Sequence, residues 1–181
     1  MSRNLLMLCS LTLLVVFCTG REANQQNALE QIRTDEHYLQ SRISEGAEGQ
    51  DLMERSKKLV DRYVTFQENY PQHKKSADFL FQAGMLSAEM HGEFEDGIRL
   101  LKNVQKDYED QLIAEQALFM AGFLYDYEIG DHDAAQEVYT RFLEIYPDSD
   151  MAEGVQQAYE YSGKVADPDA PQIPVTPEDV H

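Results

Sequence analysis

The side chains of this chain that could do chemistry are carboxylates and histidines, and their densest grouping is Asp131-His132-Asp133. Two carboxylates around an imidazole could hold a metal ion, but the segment lacks the glycine and the distal Glu of a calcium loop. Asp126 with Asp131 could form the acidic pair of a hydrolase. No Gly-x-Ser-x-Gly segment, glycine-rich phosphate loop or His-x-x-x-His pair is present in the sequence. We therefore predict no catalytic residue, no metal and no cofactor, and interpret Asp131 and Asp133 as stabilising a helix N-terminus.

Cys18 is the other candidate for chemistry, because it ends an apolar run from Leu5 to Phe17. The run has the length of a signal-peptide core and is short for a transmembrane helix of ~20 residues. We predict that residues 1–17 are a signal peptide. Residues 15–18 resemble a lipobox, so Cys18 is predicted to be the lipidated first residue of a bacterial lipoprotein. In the alternative, a peptidase cuts before Arg21 and releases a soluble periplasmic protein.

The charge of the chain excludes several classes of partner. Fifteen Lys and Arg stand against 33 Asp and Glu, which gives a formal net charge of −18. Such a chain lacks the cations that neutralise nucleic-acid phosphates or dock on anionic lipid. We predict no nucleic-acid partner and membrane contact only through a lipid anchor. Hydrophobic residues make up 43% of the chain, enough to bury a core.

The elements that must position these residues follow from an internal repeat. Tyr70, Tyr108 and Tyr146 are equally spaced along the chain, and we call the interval between them the repeat period. Other residues recur at the same interval, without gaps: Leu80 and Leu118, Phe81 and Phe119, Gly84 and Gly122, Gly92 and Gly130. A fixed period of a few tens of residues is typical of stacked helical repeats.

Each copy of the repeat reads as two amphipathic helices. The first copy predicts helices over 77–91 and 93–108. The second predicts one helix over 112–129 and another that stops before Pro147. A degenerate pair precedes them, with its second helix over 51–70, and a capping helix over 151–162 follows.

These residues resemble the tetratricopeptide repeat (TPR). The family pattern is a large apolar residue, a small Gly four places later, a turn, a small residue and then a Pro. The second copy matches it with Leu118, Gly122, Gly130-Asp131-His132, Ala135 and Pro147, and the first with Leu80, Gly84, Gly92-Glu93-Phe94 and Gly97. Gly84 and Gly122 lack a side chain, which lets the second helix of each pair press close at Gly97 and Ala135.

The resemblance covers roughly residues 50–163 and extends to TPR proteins of Gram-negative envelopes, including outer-membrane-assembly lipoproteins and Tol-Pal-associated coordinators. It implies an all-α fold: a right-handed superhelix of about three antiparallel helix pairs plus a capping helix. We predict a tether over 18–26, a TPR-like domain over 27–163 and a disordered Pro-rich tail over 164–181.

The resemblance also implies a concave groove lined by the first helix of each pair. The groove residues expected by analogy are Asp78, Phe81, Met85, Glu89, Gln116, Phe119, Phe123, Asp126 and Tyr127. Aromatic rings among carboxylates suit a peptide that carries Lys or Arg. Alternatively, Phe81 and Phe119 pack beneath the N-terminal helix and the groove is closed.

The absence of catalytic motifs and the repeat together favour a non-catalytic protein-interaction module. We expect it to be membrane-tethered in the bacterial periplasm, with other envelope proteins or peptides as partners in envelope assembly or maintenance. The alternatives are a permanent structural subunit of an envelope complex and a soluble periplasmic adaptor.

Overall fold

The computed structural model describes the backbone of residues 2–47 and 49–164 and the side chains of residues 20–47 and 49–164. Every regular element within these residues is helical, so the predicted all-α class is confirmed. The described residues fall into two compact units, divided between His73 and Lys74. The predicted domain 27–163 therefore spans both units.

The first unit contains two helices, α1 (Ser2–Ser44) and α2 (Gln50–Asn69). The chain turns between them at Gly46 and Gly49, whose φ angles of 70° and 120° suit glycine because it has no Cβ. Side chains from both helices form the core of the unit: Ile32, Leu39, Leu59, Tyr63 and Phe66. α1 runs without a break through residues 18–26, so the predicted tether is helical.

Polar side chains also join α1 to α2. The Arg62 Nε lies 3.0 Å from Asp35 Oδ2, and both side chains are less than a quarter exposed. Arg62 also donates a 2.7 Å hydrogen bond to Gln31, and the Tyr63 hydroxyl donates one of 2.8 Å to Glu36. The ion pair and the two hydrogen bonds link charged and polar groups that helix packing partly removes from water.

The second unit contains α3 (Ser76–His91), α4 (Phe94–Asp107), α5 (Leu112–Phe123), α6 (His132–Ile145) and α7 (Ala152–Tyr161). A π-helical turn, Leu124–Ile129, extends α5. Gly92 and Gly130 follow α3 and the π-helical turn in the left-handed conformation, as the sequence predicts for glycines that end helices. The two predicted helix pairs and the capping helix are confirmed.

The predicted close approach of the two helices in each pair is confirmed in its essentials. A Cβ added to Gly84 would lie 2.9 Å from Leu101 Cγ and 3.1 Å from the Gly97 carbonyl oxygen. In the next pair, a Cβ on Gly122 would lie 2.5 Å from the Tyr139 ring. Tyr139 stands one repeat period after Leu101, so the side chain nearest to Gly122 is the larger one at the equivalent position.

The second helix of every pair ends at a tyrosine. Tyr70, Tyr108 and Tyr146 follow α2, α4 and α6, and the N–H of each donates to the carbonyl four residues earlier. Their φ angles of −134°, −135° and −121° are nearly the same. The repeat period is thus a repeat of backbone geometry as well as of sequence.

Two predictions fall on residues that the structure leaves undescribed. Residues 165–181 of the predicted tail lie outside the described residues, and the Cys18 side chain lies outside the described side chains. Among the described residues, no helix is both long and apolar enough to cross a membrane.

Candidate functional site

Two of the predicted groove residues form an exposed aromatic pair. The Phe123 and Tyr127 rings stack with centroids 4.6 Å apart and planes 23° from parallel. Tyr127 is 56% exposed, whereas Phe123 is half-buried. Their four-residue spacing, carried from α5 into the π-helical turn, brings both rings to one side of the chain. Partial burial and the neighbouring Asp126 carboxylate raise the pKa of Tyr127, so its hydroxyl stays protonated at neutral pH.

The predicted groove residues of α3 are accessible to solvent. Phe81 and Met85 are half-buried, and Asp78 and Glu89 are exposed. Their spacings of three and four residues place them along one side of the helix. The Glu89 side chain is exposed overall, but neighbouring atoms partly desolvate its carboxyl group and raise its pKa.

The same side of α5 carries Gln116, which is half-buried and stands one repeat period after Asp78. We use the term helix-A face for the accessible side chains at these positions in α3, α5 and the π-helical turn, and at the equivalent positions of α7. It comprises Asp78, Phe81, Met85, Glu89, Gln116, Phe123, Tyr127, Gly154, Gln157 and Tyr161.

Phe119 and Asp126 differ from the prediction, because both are buried. The Phe119 ring is 5% exposed and lies 6.2 Å from the Tyr139 ring of α6. Asp126 is 7% exposed, and its carboxylate bonds inside the unit. Asp126 therefore does not line an open groove, whereas Phe119 lines the pocket described below.

Asp126, His132 and Ser162 form a polar cluster around a buried carboxylate. The Asp126 Oδ1 accepts hydrogen bonds from His132 Nδ1 at 2.7 Å and from Ser162 Oγ at 2.8 Å. The three residue types are those of a hydrolase triad, but there the serine hydroxyl bonds the imidazole, which takes its proton. Here the hydroxyl bonds the carboxylate and not the imidazole, so the arrangement differs from that of the triad. The arrangement joins the end of α7 to the start of α6.

Asp131 also serves the fold. Its side chain accepts a 3.0 Å hydrogen bond from the Ala134 N–H and caps α6, as the sequence predicts. Both carboxylates of the conceivable acidic pair are therefore held in structural hydrogen bonds. Among the described residues, no three His, Cys, Asp or Glu side chains come together to hold a metal ion.

The last helix brings residues to the site that the sequence analysis did not identify. A pocket of about 370 Å³ lies between α5 and the start of α7, and we call it the Gly154 pocket. It is lined by Phe119, Asp150, Met151, Glu153, Gly154, Val155 and Gln157. The repeat period could have identified two of these residues from the sequence, because it makes Gly154 and Gln157 the equivalents of Gln116 and Phe119.

Hydrogen bonds fasten α7 at both ends. Before the helix, the Ser149 hydroxyl donates to the Glu115 carboxylate of α5 and accepts a 3.1 Å bond from the Met151 N–H. After it, Ser162 donates to Asp126. Two serine hydroxyls thus tie the helix to carboxylates of the preceding pair.

Charge is divided unevenly among the helices of the second unit. α3, α5, the π-helical turn and α7 together carry seven acidic side chains and no Lys or Arg. α4 and α6 carry four basic side chains in addition to acidic ones: Arg99, Lys102, Lys106 and Arg141. The helices that supply the helix-A face therefore present negative charge without intervening cations.

Comparison with known families agrees with this geometry. The family model described as tetratricopeptide repeat matches residues 116–149, a segment that runs from α5 through the π-helical turn and α6. No curated protein and no solved structure matches the chain. The chain therefore contains a tetratricopeptide repeat at residues 116–149 within an all-helical fold.

Proposed function

We propose that this chain is a non-catalytic interaction module that binds a segment of a partner protein on the helix-A face. Tetratricopeptide repeats generally mediate interactions between proteins. The observation that carries the proposal is the exposed Phe123–Tyr127 stack. Aromatic side chains supply large contact area at low entropic cost and are enriched at binding hot spots.

Selection from a random peptide library on the immobilised full chain tests this proposal. We expect enriched peptides whose affinity falls by about tenfold or more in a Phe123→Ala plus Tyr127→Ala variant, since each lost aromatic contact is worth ~1–2 kcal/mol or more. Ile145→Ala is the control, because it truncates an exposed apolar side chain of α6, away from the face. Circular dichroism checks that both variants remain folded.

Two results would contradict the proposal. One is a selection that enriches nothing over an empty support. The other is a set of bound peptides whose affinity is the same for the folded double variant, the control and the original chain.

The location of the module is part of the same proposal. The apolar run before Cys18 supports export, and the lipobox-like residues support a lipid on that cysteine, which would hold the domain at a bacterial membrane and facing the periplasm. The partner would then be another envelope protein. Mass spectrometry of the mature N-terminus tests this: a diacylglyceryl adduct on Cys18 is expected, and an N-terminus at Arg21 would replace the anchor with a soluble periplasmic form.

A further inference from the structure

The Gly154 pocket contains a glycine that the fold does not require. Gly154 lies in the first turn of α7, and glycine is a poorer helix former than alanine by up to ~1 kcal/mol. Its φ is not positive, and a Cβ added to it would meet nothing within 4 Å. Gly84, Gly97 and Gly122 differ in this respect, because an added Cβ there would collide with a neighbouring helix. The missing side chain at position 154 instead leaves space in the pocket.

The chemistry of the pocket defines what would fill that space. Phe119, Met151 and Val155 line the pocket with apolar atoms, and its volume of about 370 Å³ accommodates one large side chain. Asp150 and Glu153 line the same pocket and are exposed. α3, α5, the π-helical turn and α7 contain no Lys or Arg, so their carboxylates are not neutralised by cations of these helices. Lys or Arg of a partner could therefore pair with carboxylates on this side of the unit.

We propose that the Gly154 pocket receives one large apolar side chain of a partner segment in which Lys or Arg flank that side chain. This inference rests on the proposed interaction function and specifies its ligand. The apolar anchor supplies buried area, and the flanking cations pair with Asp150 and Glu153 at the rim. A segment with acidic flanks would meet like charges and be rejected.

Three synthetic peptides test the ligand chemistry by calorimetry with the full chain. The first has one Phe between two pairs of Lys, the second replaces Lys with Glu, and the third replaces Phe with Gly. We expect the first to bind about tenfold or more tightly than either of the others, as burial of one aromatic ring implies. We also expect its affinity to fall as salt is added.

Two matched pairs of variants test the place of binding. Gly154→Leu fills the pocket, and Gln156→Leu adds the same side chain to an exposed position of α7 outside it. Glu153→Lys reverses a charge at the pocket, and Glu137→Lys makes the same change on an exposed position of α6. We expect the first member of each pair to lose about tenfold in affinity for the Lys-Phe-Lys peptide and the second to lose little.

Gly154→Leu is suited to this test because the open space around position 154 lets the variant fold. Equal affinity of Gly154→Leu and Gln156→Leu, or no preference for the Lys-flanked peptide, would overturn the pocket assignment. Peptides selected from the library that depend on Phe123 and Tyr127 but not on position 154 would do the same, while leaving the interaction module in place. Failure of the library selection itself would count against the module.

Discussion

Two glycines within helices should respond in opposite ways to the same substitution. Gly122→Ala places a Cβ 2.5 Å from one carbon of the Tyr139 ring and 2.8 Å from another. Carbon atoms pack at ~3.5–4.0 Å, so the ring or the helix must withdraw by about 1 Å. Tyr139 is fully buried, so its ring is surrounded by neighbours that resist this movement. Gly154→Ala meets no atom within 4 Å.

The magnitude follows from two opposing contributions to the free energy of unfolding. Replacing glycine by alanine in a helix stabilises by up to ~0.8–1.0 kcal/mol, and both variants make a gain of this kind. Overpacking a tight core costs ~1–3 kcal/mol, and only Gly122→Ala incurs it. We therefore expect Gly154→Ala to raise the stability by about 1 kcal/mol and Gly122→Ala to lie ~1–3 kcal/mol below it.

Thermal unfolding followed by far-ultraviolet circular dichroism measures the difference. For a chain of 181 residues, 1 kcal/mol corresponds to ~2–4 °C in Tm. Because the helix-propensity gain cancels between the two variants, their difference isolates the steric cost at the α5–α6 contact. Equal Tm values would show that α5 and α6 do not approach each other at Gly122.

Further predictions concern polar groups. Ser162→Ala removes the hydrogen bond to the buried Asp126 carboxylate and should cost ~1.5–3 kcal/mol in urea unfolding, because a charged acceptor loses a donor; an unchanged midpoint would refute the cluster. Burial raises the pKa of Tyr63, which a hydrogen bond to a carboxylate raises further, and burial also raises the pKa of Tyr139. The folded state therefore holds these protons more tightly: the associated stability is full below pH ~10 and declines above it. Tyrosinate absorbance from the two residues should develop only together with the loss of helical ellipticity. Comparison with the double variant Tyr63→Phe plus Tyr139→Phe identifies the part of the absorbance change that comes from these two residues. A double-mutant cycle of Arg62→Ala and Asp35→Ala should give a coupling above ~1 kcal/mol, because both side chains of this ion pair are less than a quarter exposed, and a value under ~0.5 kcal/mol would place the pair with exposed ion pairs.

Local patterns in the sequence predicted most of the helices. Gly92 and Gly130 end their helices in the left-handed conformation that only glycine adopts at little cost, and the equally spaced tyrosines end the second helix of every pair. The approach of α3 to α4 at Gly84 and Gly97 follows from two residues that have no side chain to separate the backbones. These features depend on contacts within one helix pair, so the residues that determine them lie close together in the sequence.

The π-helical turn had no signal in the sequence. Gly84 to Gly92 and Gly122 to Gly130 have the same length, so no inserted residue announces it. It includes Asp126, whose burial depends on His132 and on Ser162, a residue 36 positions away. A carboxylate in an amphipathic helix is ordinarily solvated, and the return of α7 supplies one of the two donors that make burial favourable.

The candidate site was predicted only in part, because the sequence pattern indicates contacts within one helix better than contacts between helices. The stacked Phe123 and Tyr127 follow from helical spacing within one element. Phe119 was expected at the groove, but its ring packs near Tyr139 and contributes only to a pocket wall. The pocket itself depends on how α7 lies against α5, which the spacing of residues within either helix does not determine.

The hydrogen bonds of Ser149 and Ser162, which hold the two ends of α7, affect how a ligand would bind beside this helix. The ends of a helix ordinarily fray, and their backbone amides then exchange readily with solvent. Ser149 and Ser162 restrain both ends of this one, so the cavity beside Gly154 keeps its shape without an occupant. A guest side chain then enters a preorganised cleft, and little of its binding free energy is lost to ordering the wall around it.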